Sequence, residues 1–272
     1  MSNTTHRIFI GDAETVLRGL PDNFFQLMVT SPPYWNVRDY EHKEQIGLRD
    51  TLEQYLERLN RVWEEIARVL LPDGKIALNI GNIYYSEPDE KRRTTANLSL
   101  LTWKQLNNIG CLRFMGTIYW QKTTSRDGSV LFGSYPYPTN FMISNAVEPI
   151  HIFRKLGKRS VSKEIKEKSK VSPEEFRMFR DAIWNDINGV EDRHCAAYPI
   201  ELPKRLIRMF SYVQDWIIDP FLGSGSTMRA AKELDRNSLG IELNPEYLEI
   251  IEEKVGIKQN GLFNGIKFEV VN

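Results

Sequence analysis

Short apolar runs of strand length alternate along this chain with segments of helical periodicity. The clearest helical segment begins at Leu52 and ends near Leu70, where Pro72-Asp73-Gly74 is predicted to stop it. Thr51 and Gln54 form a capping-box pattern at its start. Strands are predicted at residues 7–10, 26–30, 75–80, 112–120, 147–153, 216–218 and 238–242, and further helices at 97–108, 202–210, 226–234 and after Asn244. This alternation predicts an α/β fold with an open, mainly parallel sheet.

Composition places the chain among ordinary globular proteins. It has 272 residues, of which 41% are hydrophobic, and its 36 basic side chains balance 36 acidic ones. The two cysteines, Cys111 and Cys195, are too few and too far apart for a disulfide framework or a cysteine-based zinc module, and no metal site is predicted. No segment reaches the roughly 18 apolar residues of a membrane span. We therefore expect a soluble, unprocessed, cytoplasmic protein without a membrane partner.

The turn Thr30-Ser31-Pro32-Pro33-Tyr34-Trp35 follows a predicted strand directly. The two prolines fix the backbone and remove two amide donors, so the carbonyl groups of Ser31 and Pro32 are available to a ligand. Tyr34 and Trp35 offer aromatic faces that can stack on a base rotated out of a duplex. A proline-rich surface turn without a ligand is the alternative interpretation.

A second turn, residues 219–227, reads Asp-Pro-Phe-Leu-Gly-Ser-Gly-Ser-Thr and lies between a predicted strand and a helix. Glycines there allow a ligand to approach the backbone, and amides at the helix start can bind an anionic group. Glu242 ends the next strand, where a carboxylate can accept hydrogen bonds from ribose hydroxyls. The pattern favours an adenosine derivative. It disfavours NAD, because Met228 occupies the position of the third glycine of the dinucleotide fingerprint.

Both turns follow the carboxyl ends of strands, where open α/β sheets bind ligands, so we expect them to face one crevice. With these two motifs the chain resembles the amino-methylating DNA methyltransferases of the circularly permuted β group. Those enzymes carry Ser/Asp-Pro-Pro-Tyr early and Asp-Pro-Phe-x-Gly-x-Gly late. Four further segments fall where this family has recurring segments: Gly11-Asp12, 70–74, Trp120-Gln-Lys122 and 194–199.

The resemblance implies a Rossmann-like, circularly permuted sheet that binds S-adenosylmethionine. It implies a catalytic and cofactor-binding domain formed by residues 1–122 and 193–272, with an inserted target-recognition region at 123–192. It also implies double-stranded DNA as substrate, a restriction-modification system with a separately acting endonuclease, and a bacterial or archaeal cell.

The resemblance also suggests site residues. The predicted catalytic residues are Ser31, Pro32, Pro33 and Tyr34, and the predicted cofactor residues are Asp12, Asp219, Phe221, Gly223, Gly225, Ser226 and Glu242. Asp12 can equally be a helix N-cap. Because Ser31 stands where adenine-directed members usually have Asp, the expected product is N4-methylcytosine, with adenine N6 as the alternative. A catalytically silent relative that only binds nucleic acid is less expected, since both motifs are intact.

Residues 154–180 are basic, with ten Lys and Arg side chains against four Glu. Such an excess in a neutral chain is typical of phosphate binding, although a solvated helix face would look the same. The predicted DNA contacts are Trp35, Arg38, Lys122, Lys155, Lys158 and Arg159.

Overall fold

The computed structural model describes residues 4–86, 93–122, 134, 136–139, 143–187, 198–256 and 267–271. Within them, eleven strands and eight α-helices are formed. The strands are β1 (Thr5–Ile10), β2 (Phe25–Thr30), β3 (Leu70–Asn79), β4 (Ile83–Ser86), β5 (Arg93–Ala96), β6 (Leu112–Gln121), β7 (Val147–Lys155), β8 (Ile183–Trp184), β9 (Trp216–Asp219), β10 (Asn237–Glu242) and β11 (Lys267–Val271). The helices are α1 (Ala13–Arg18), α2 (Leu52–Val69), α3 (Leu98–Asn108), α4 (Lys163–Lys168), α5 (Pro173–Phe179), α6 (Glu201–Phe210), α7 (Ser226–Glu233) and α8 (Leu248–Val255).

Nine strands form one sheet in the order β11-β1-β10-β9-β2-β3-β7-β6-β8. The pairs from β11 to β3 are parallel, whereas β7 runs antiparallel to both β3 and β6. The predicted α/β fold with a mainly parallel sheet is confirmed. β4 and β5 form a separate antiparallel hairpin that the sequence did not predict.

Helices cover both faces of the sheet. α1, α2 and α3 bury apolar side chains on one face, among them Leu17, Trp63 and Leu106. α6 and α7 cover the other face with Leu202, Leu206 and Ala230. The parallel strands are apolar on both sides, as β2 shows with six buried residues in succession. The sheet is therefore a rigid central layer whose carboxyl edge carries both predicted turns.

Capping explains several helix boundaries. Thr51 and Gln54 form the predicted capping box at the start of α2. Pro72-Asp73-Gly74 does not separate α2 from the next strand as predicted, because β3 already begins at Leu70 and contains the turn. A register shift in the pairing between β2 and β3 absorbs the extra residues.

The range 123–192, predicted to be an inserted recognition region, contains two strands of the main sheet. β7 lies between β3 and β6, and β8 pairs with β6. These strands belong to the main sheet, and the role of residues 123–192 in recognition stays a prediction. Several segments of the prediction, including His194 and Cys195, lie outside the described residues. Among the helices that are described, none is long and apolar enough to cross a membrane.

Candidate active site

The two turns lie side by side at the carboxyl edge of the sheet, because β2 and β9 are neighbouring strands. Thr30, the last residue of β2, donates a hydrogen bond from Oγ1 to Asp219 Oδ1 over 2.6 Å. The Phe221 amide donates to the same oxygen over 3.1 Å, and Tyr198 Oη donates to Oδ2 over 3.3 Å. Burial raises the pKa of the Asp219 carboxyl. Asp219 thus fastens the two turns together, and its contact with the cofactor stays a prediction.

A cavity opens between the turns. Of the predicted residues, Asp12, Ser31, Pro33, Phe221, Gly223 and Glu242 line it. Lining residues that the sequence analysis did not identify include Tyr40, Gln45, Ile46 and Tyr247. Tyr40, Gln45 and Ile46 belong to the loop that follows the Pro-Pro-Tyr turn, where no periodicity or motif marks them. This loop is tied to the start of the last helical segment, since Asn244 Nδ2 donates to the Tyr40 carbonyl over 3.1 Å.

Glu242 is one of the buried residues that line this cavity. Its Oε2 accepts the Gly223 amide over 2.9 Å, and its Oε1 accepts the Asn244 amide over 2.9 Å. Burial raises the pKa of the Glu242 carboxyl to about 7, against the lowering effect of the backbone hydrogen bonds. The carboxylate can still accept hydrogen bonds with its remaining lone pairs. Ribose hydroxyls are suitable donors for it.

This pKa gives a pH dependence. Since the folded pKa of Glu242 lies above its ordinary value, its contribution to folding is fully present below the unfolded pKa and is lost as the pH rises through about 7. Binding to hydroxyl donors has the opposite trend, because it needs the carboxylate. Affinity for S-adenosylmethionine is expected to fall about tenfold from pH 8 to pH 6, measured by calorimetric titration. If the affinity of the Glu242→Gln variant depended on pH to the same extent, the Glu242 carboxylate would not be the group that binds the cofactor hydroxyls.

Asp12 is a helix N-cap, as one of its two interpretations predicted, and its contact with a cofactor stays a prediction. Its Oδ1 accepts the Thr15 amide over 2.9 Å, so it is the N-cap of α1. It also lines the cavity, close to Gly11 and Ala13. The capping bond fixes the carboxylate at the cavity wall.

Gly223 and Gly225 differ in their surroundings. Gly223 has a φ of 53° and lines the cavity. Gly225 has a φ of 86°, and a Cβ there would meet Val255 Cγ2 at 3.1 Å and Ile251 Cγ2 at 3.3 Å. The side of Gly225 that would carry a side chain therefore faces α8, and Gly225 is not among the residues that line the cavity. Its close approach to the cofactor stays a prediction. Ser226, also predicted for the cofactor, is buried and donates from Oγ to the Tyr198 carbonyl over 3.0 Å.

Gly225→Ala is consequently expected to lower stability. A non-glycine residue at this φ costs roughly 1–2 kcal/mol, and the added methyl group would crowd the side chains of Val255 and Ile251 on α8. The free energy of unfolding in urea should fall by about 1–3 kcal/mol. The matched control is Gly110→Ala, whose Cβ would meet no atom within 4 Å. Unchanged stability of Gly225→Ala would show that α8 does not restrict this position.

The Ser-Pro-Pro-Tyr turn is held from two sides. Tyr55 Oη donates to the Pro33 carbonyl over 2.9 Å, and the Gly81 amide donates to Tyr34 Oη over 2.8 Å. Ser31 and Pro33 line the cavity, whereas Pro32 is buried. Burial, together with the nearby charge of Glu148, raises the pKa of Tyr34, so its hydroxyl stays protonated. These hydrogen bonds restrain the turn in addition to its two prolines.

Trp35 and Arg38, predicted to contact DNA, follow this turn. The Trp35 indole donates from Nε1 to the Asp50 carbonyl over 2.8 Å, and its ring packs edge-on against Tyr85 at 5.2 Å. Trp35 therefore supports the loop, and its contact with DNA stays a prediction. The Arg38 carbonyl accepts a hydrogen bond from Gln45 Nε2 over 2.8 Å.

Two of the basic residues predicted to contact DNA, Lys155 and Arg159, lie at the edge of the sheet opposite to the one that carries the two turns. Lys155 Nζ donates to the Leu70 and Arg68 carbonyls over 2.7 and 3.2 Å, and Arg159 pairs with Asp215. These cations satisfy acceptors of the protein itself, remote from the cavity, so the structure gives a DNA contact at Lys155 and Arg159 no support. Lys158 is exposed on the same side.

Lys122 lies at the cavity edge of the sheet and pairs with Glu148, a buried residue that the sequence analysis missed. Glu148 had no motif around it, and only the pairing of β7 between β3 and β6 brings it beside Asn79 and Lys122.

Comparison with known proteins finds similarity to DNA methylases and methyltransferases. The model of a family described as DNA methylase matches residues 25–253. The type II methyltransferase M.MjaI of Methanocaldococcus jannaschii is 33% identical and aligns over 99% of this chain and 97% of its own. The type II methyltransferase M.Cfr9I of Citrobacter freundii is 33% identical over 89% and 85% of the two chains.

Among solved structures, TTHA0409 of Thermus thermophilus, a putative DNA modification methylase complexed with S-adenosyl-L-methionine, is similar with a TM-score of 0.80. It is 32% identical, and the alignment covers 98% of both chains. The cytosine-N4-specific PvuII DNA methyltransferase has a TM-score of 0.64, with 98% of this chain and 96% of that chain covered. At 20% identity, this second likeness concerns the fold alone.

Proposed function

The chain belongs to the DNA methylase family whose members methylate adenine N6 or cytosine N4, and we propose that it acts on the N4 amine of cytosine in double-stranded DNA. S-adenosylmethionine-dependent DNA methylation is the activity that its relatives share, and the predicted resemblance to this family is confirmed. The proposal for cytosine is carried by Ser31, which lines the cavity at the head of the Pro-Pro-Tyr turn.

The cavity fits S-adenosylmethionine. We assign the ribose hydroxyls to the Glu242 carboxylate, which is buried and lies beside the backbone of Gly223. Asp12 contributes a second carboxylate, and Phe221 an apolar wall. When bound, S-adenosylmethionine supplies a methyl group on a sulfonium, which makes that methyl group electrophilic.

The chain's own groups make the target amine reactive. The lone pair of an exocyclic amine is delocalised into the base. In our proposal Ser31 Oγ and the Pro32 carbonyl accept hydrogen bonds from the two N–H groups of the amine and favour a tetrahedral nitrogen. The nitrogen–methyl bond would form as the methyl–sulfur bond breaks, and one proton of the amine would then pass to solvent. Positive charge grows on this nitrogen during the transfer, so fixed acceptors bind the transition state more tightly than the ground state. Tyr34 stacks on the extruded base, and the rigid turn holds the amine in place.

No cysteine of this chain follows a proline, so a covalent mechanism at cytosine C5 has no candidate nucleophile of that kind. Adenine N6 is the alternative substrate, because flipped adenine also presents an amine beside a ring nitrogen. The relatives' name, type II methyltransferase, supports a role beside a restriction endonuclease of the same sequence specificity.

The test is to express the chain in cells that lack DNA methylation and to digest their DNA to nucleosides. N4-methylcytosine is the expected product, and modification-sensitive sequencing of the same DNA gives the site. Cells that express the Glu242→Ala variant are the control, because they should contain neither modified base. If only N6-methyladenine accumulated, the proposed substrate would be wrong while the family activity would stand.

A further inference from the structure

A partly buried ion pair lies at the edge of the sheet that carries the Pro-Pro-Tyr turn. Glu148, the second residue of β7, is 6% exposed and pairs with Lys122 just beyond the end of β6. Asn79, the last residue of β3, donates from Nδ2 to Glu148 Oε2 over 2.8 Å. The three residues come from neighbouring strands in the order β3-β7-β6.

The pair is joined to the Pro-Pro-Tyr turn through Gly81. The Gly81 amide donates to Tyr34 Oη over 2.8 Å. On its other side, a Cβ at Gly81 would lie 3.1 Å from Glu148 Cγ and 3.2 Å from Oε1. The Glu148 carboxylate therefore packs against the backbone segment that anchors the stacking ring. This contact places Glu148, and with it the Lys122–Glu148 pair, near Tyr34, the ring that we propose stacks on the extruded base.

The cluster formed by Lys122, Glu148 and Asn79 still has donors and acceptors available for a ligand. Among the described residues, the buried Asn79 Oδ1 has no hydrogen-bond partner. The Lys122 ammonium has three donors, and its side chain is 31% exposed. Removing charged groups from water costs free energy, and apolar residues of similar volume often stabilise a fold as much as an ion pair does. Stability alone therefore does not explain an ion pair at this position, whereas a ligand that hydrogen-bonds to these groups does.

We propose that Lys122, held in position by Glu148, donates a hydrogen bond to the O2 carbonyl of the flipped target cytosine. This inference rests on the proposed function. The pairing edge of cytosine presents the N4 amine, then the acceptors N3 and O2, whereas adenine has a C–H group where cytosine has O2. With Ser31 and Pro32 at the amine, a cationic donor further along the edge matches cytosine and leaves adenine without a partner for it. Lys122 is the specificity contact, and Glu148 is a positioning residue.

The test is a thermodynamic cycle on the contact itself. Oligonucleotide duplexes carry, at the site found by sequencing, either cytosine or 2-thiocytosine, which keeps the N4 amine but replaces O2 by a poor acceptor. Single-turnover methylation is measured for the wild type and for Lys122→Met. We expect the wild type to prefer cytosine over 2-thiocytosine about tenfold more strongly than the variant does, because a hydrogen bond to a charged donor is worth this factor or more.

Any intrinsic effect of sulfur on the amine cancels in this comparison, since both enzymes act on the same two duplexes. Lys104→Met, at an exposed position on α3, is the matched control and should keep the wild-type preference. If Lys122→Met does not fold because Glu148 loses its counter-ion, the double variant Lys122→Met/Glu148→Gln replaces it. Glu148→Gln alone should weaken the preference in the same direction.

Equal preferences in the wild type and Lys122→Met would overturn the inference and make the pair a purely structural one. That outcome would leave the proposed function intact, provided that N4-methylcytosine is formed. A wild type that forms only N6-methyladenine would overturn the proposed function and this inference together.

Discussion

Replacing Glu242 by Gln is expected to weaken S-adenosylmethionine binding about 100-fold. The carboxylate is assigned to two ribose hydroxyls, and hydrogen bonds to a charged acceptor are worth about 1.5–3 kcal/mol each. The amide also introduces a donor where two backbone amides already point, those of Gly223 and Asn244. One of these amides then loses its acceptor. Both effects act on the cofactor side of the cavity.

Calorimetric titration with the cofactor measures this effect, and thermal melting confirms that the variant is folded. Glu246→Gln is the matched control, because it removes the same charge from an exposed position four residues further on. Cofactor binding by Glu242→Gln within threefold of the wild type would remove Glu242 from the cofactor site.

Tyr34→Ala is expected to lower the methylation rate by about 10- to 100-fold while leaving cofactor affinity nearly unchanged. Stacking on an extruded base is worth roughly 1–3 kcal/mol, and it acts only after DNA has bound. The variant also loses the acceptor of the Gly81 amide, so the turn becomes less rigid.

Tyr34→Phe separates these two contributions. It keeps the ring and removes only the hydroxyl that accepts the Gly81 amide, so most of the rate should be retained. Single-turnover kinetics on the methylated site and calorimetry with the cofactor give the two readouts. A Tyr34→Ala variant with the wild-type rate, or one with an equally large loss of cofactor affinity, would show that the ring is structural.

Local features of the sequence were sufficient for most of the fold. Helix α2 has its capping box at Thr51 and Gln54, and its apolar positions recur at helical spacing. β2 is a short apolar run that ends directly before the Ser-Pro-Pro-Tyr turn, and β10 is a short strand that ends at Glu242. These features depend on hydrogen bonds and side-chain spacing within a few residues, so they are visible without any tertiary contact. The same holds for the prolines that fix the turn after Thr30.

The roles within the glycine turn needed the tertiary structure. Asp219 and Gly225 belong to the same motif as Gly223, yet of these three only Gly223 lines the cavity. Asp219 bonds to Thr30 across the sheet, and Gly225 faces α8. A motif gives the order of residues along the chain, but the direction of each side chain depends on which strand or helix packs beside it.

The sequence alone thus determined the fold class, the family resemblance and the two turns, because each is written in short-range patterns. The tertiary structure decided where the basic residues predicted to contact DNA lie. Lys155 and Lys122 end neighbouring antiparallel strands, so they lie at opposite edges of the sheet, and of the two only Lys122 is near the cavity. The insertion of β7 between β3 and β6 also brings Glu148 to Lys122 and Asn79. Strand order and direction arise from contacts between residues distant in sequence, and no local pattern encodes them.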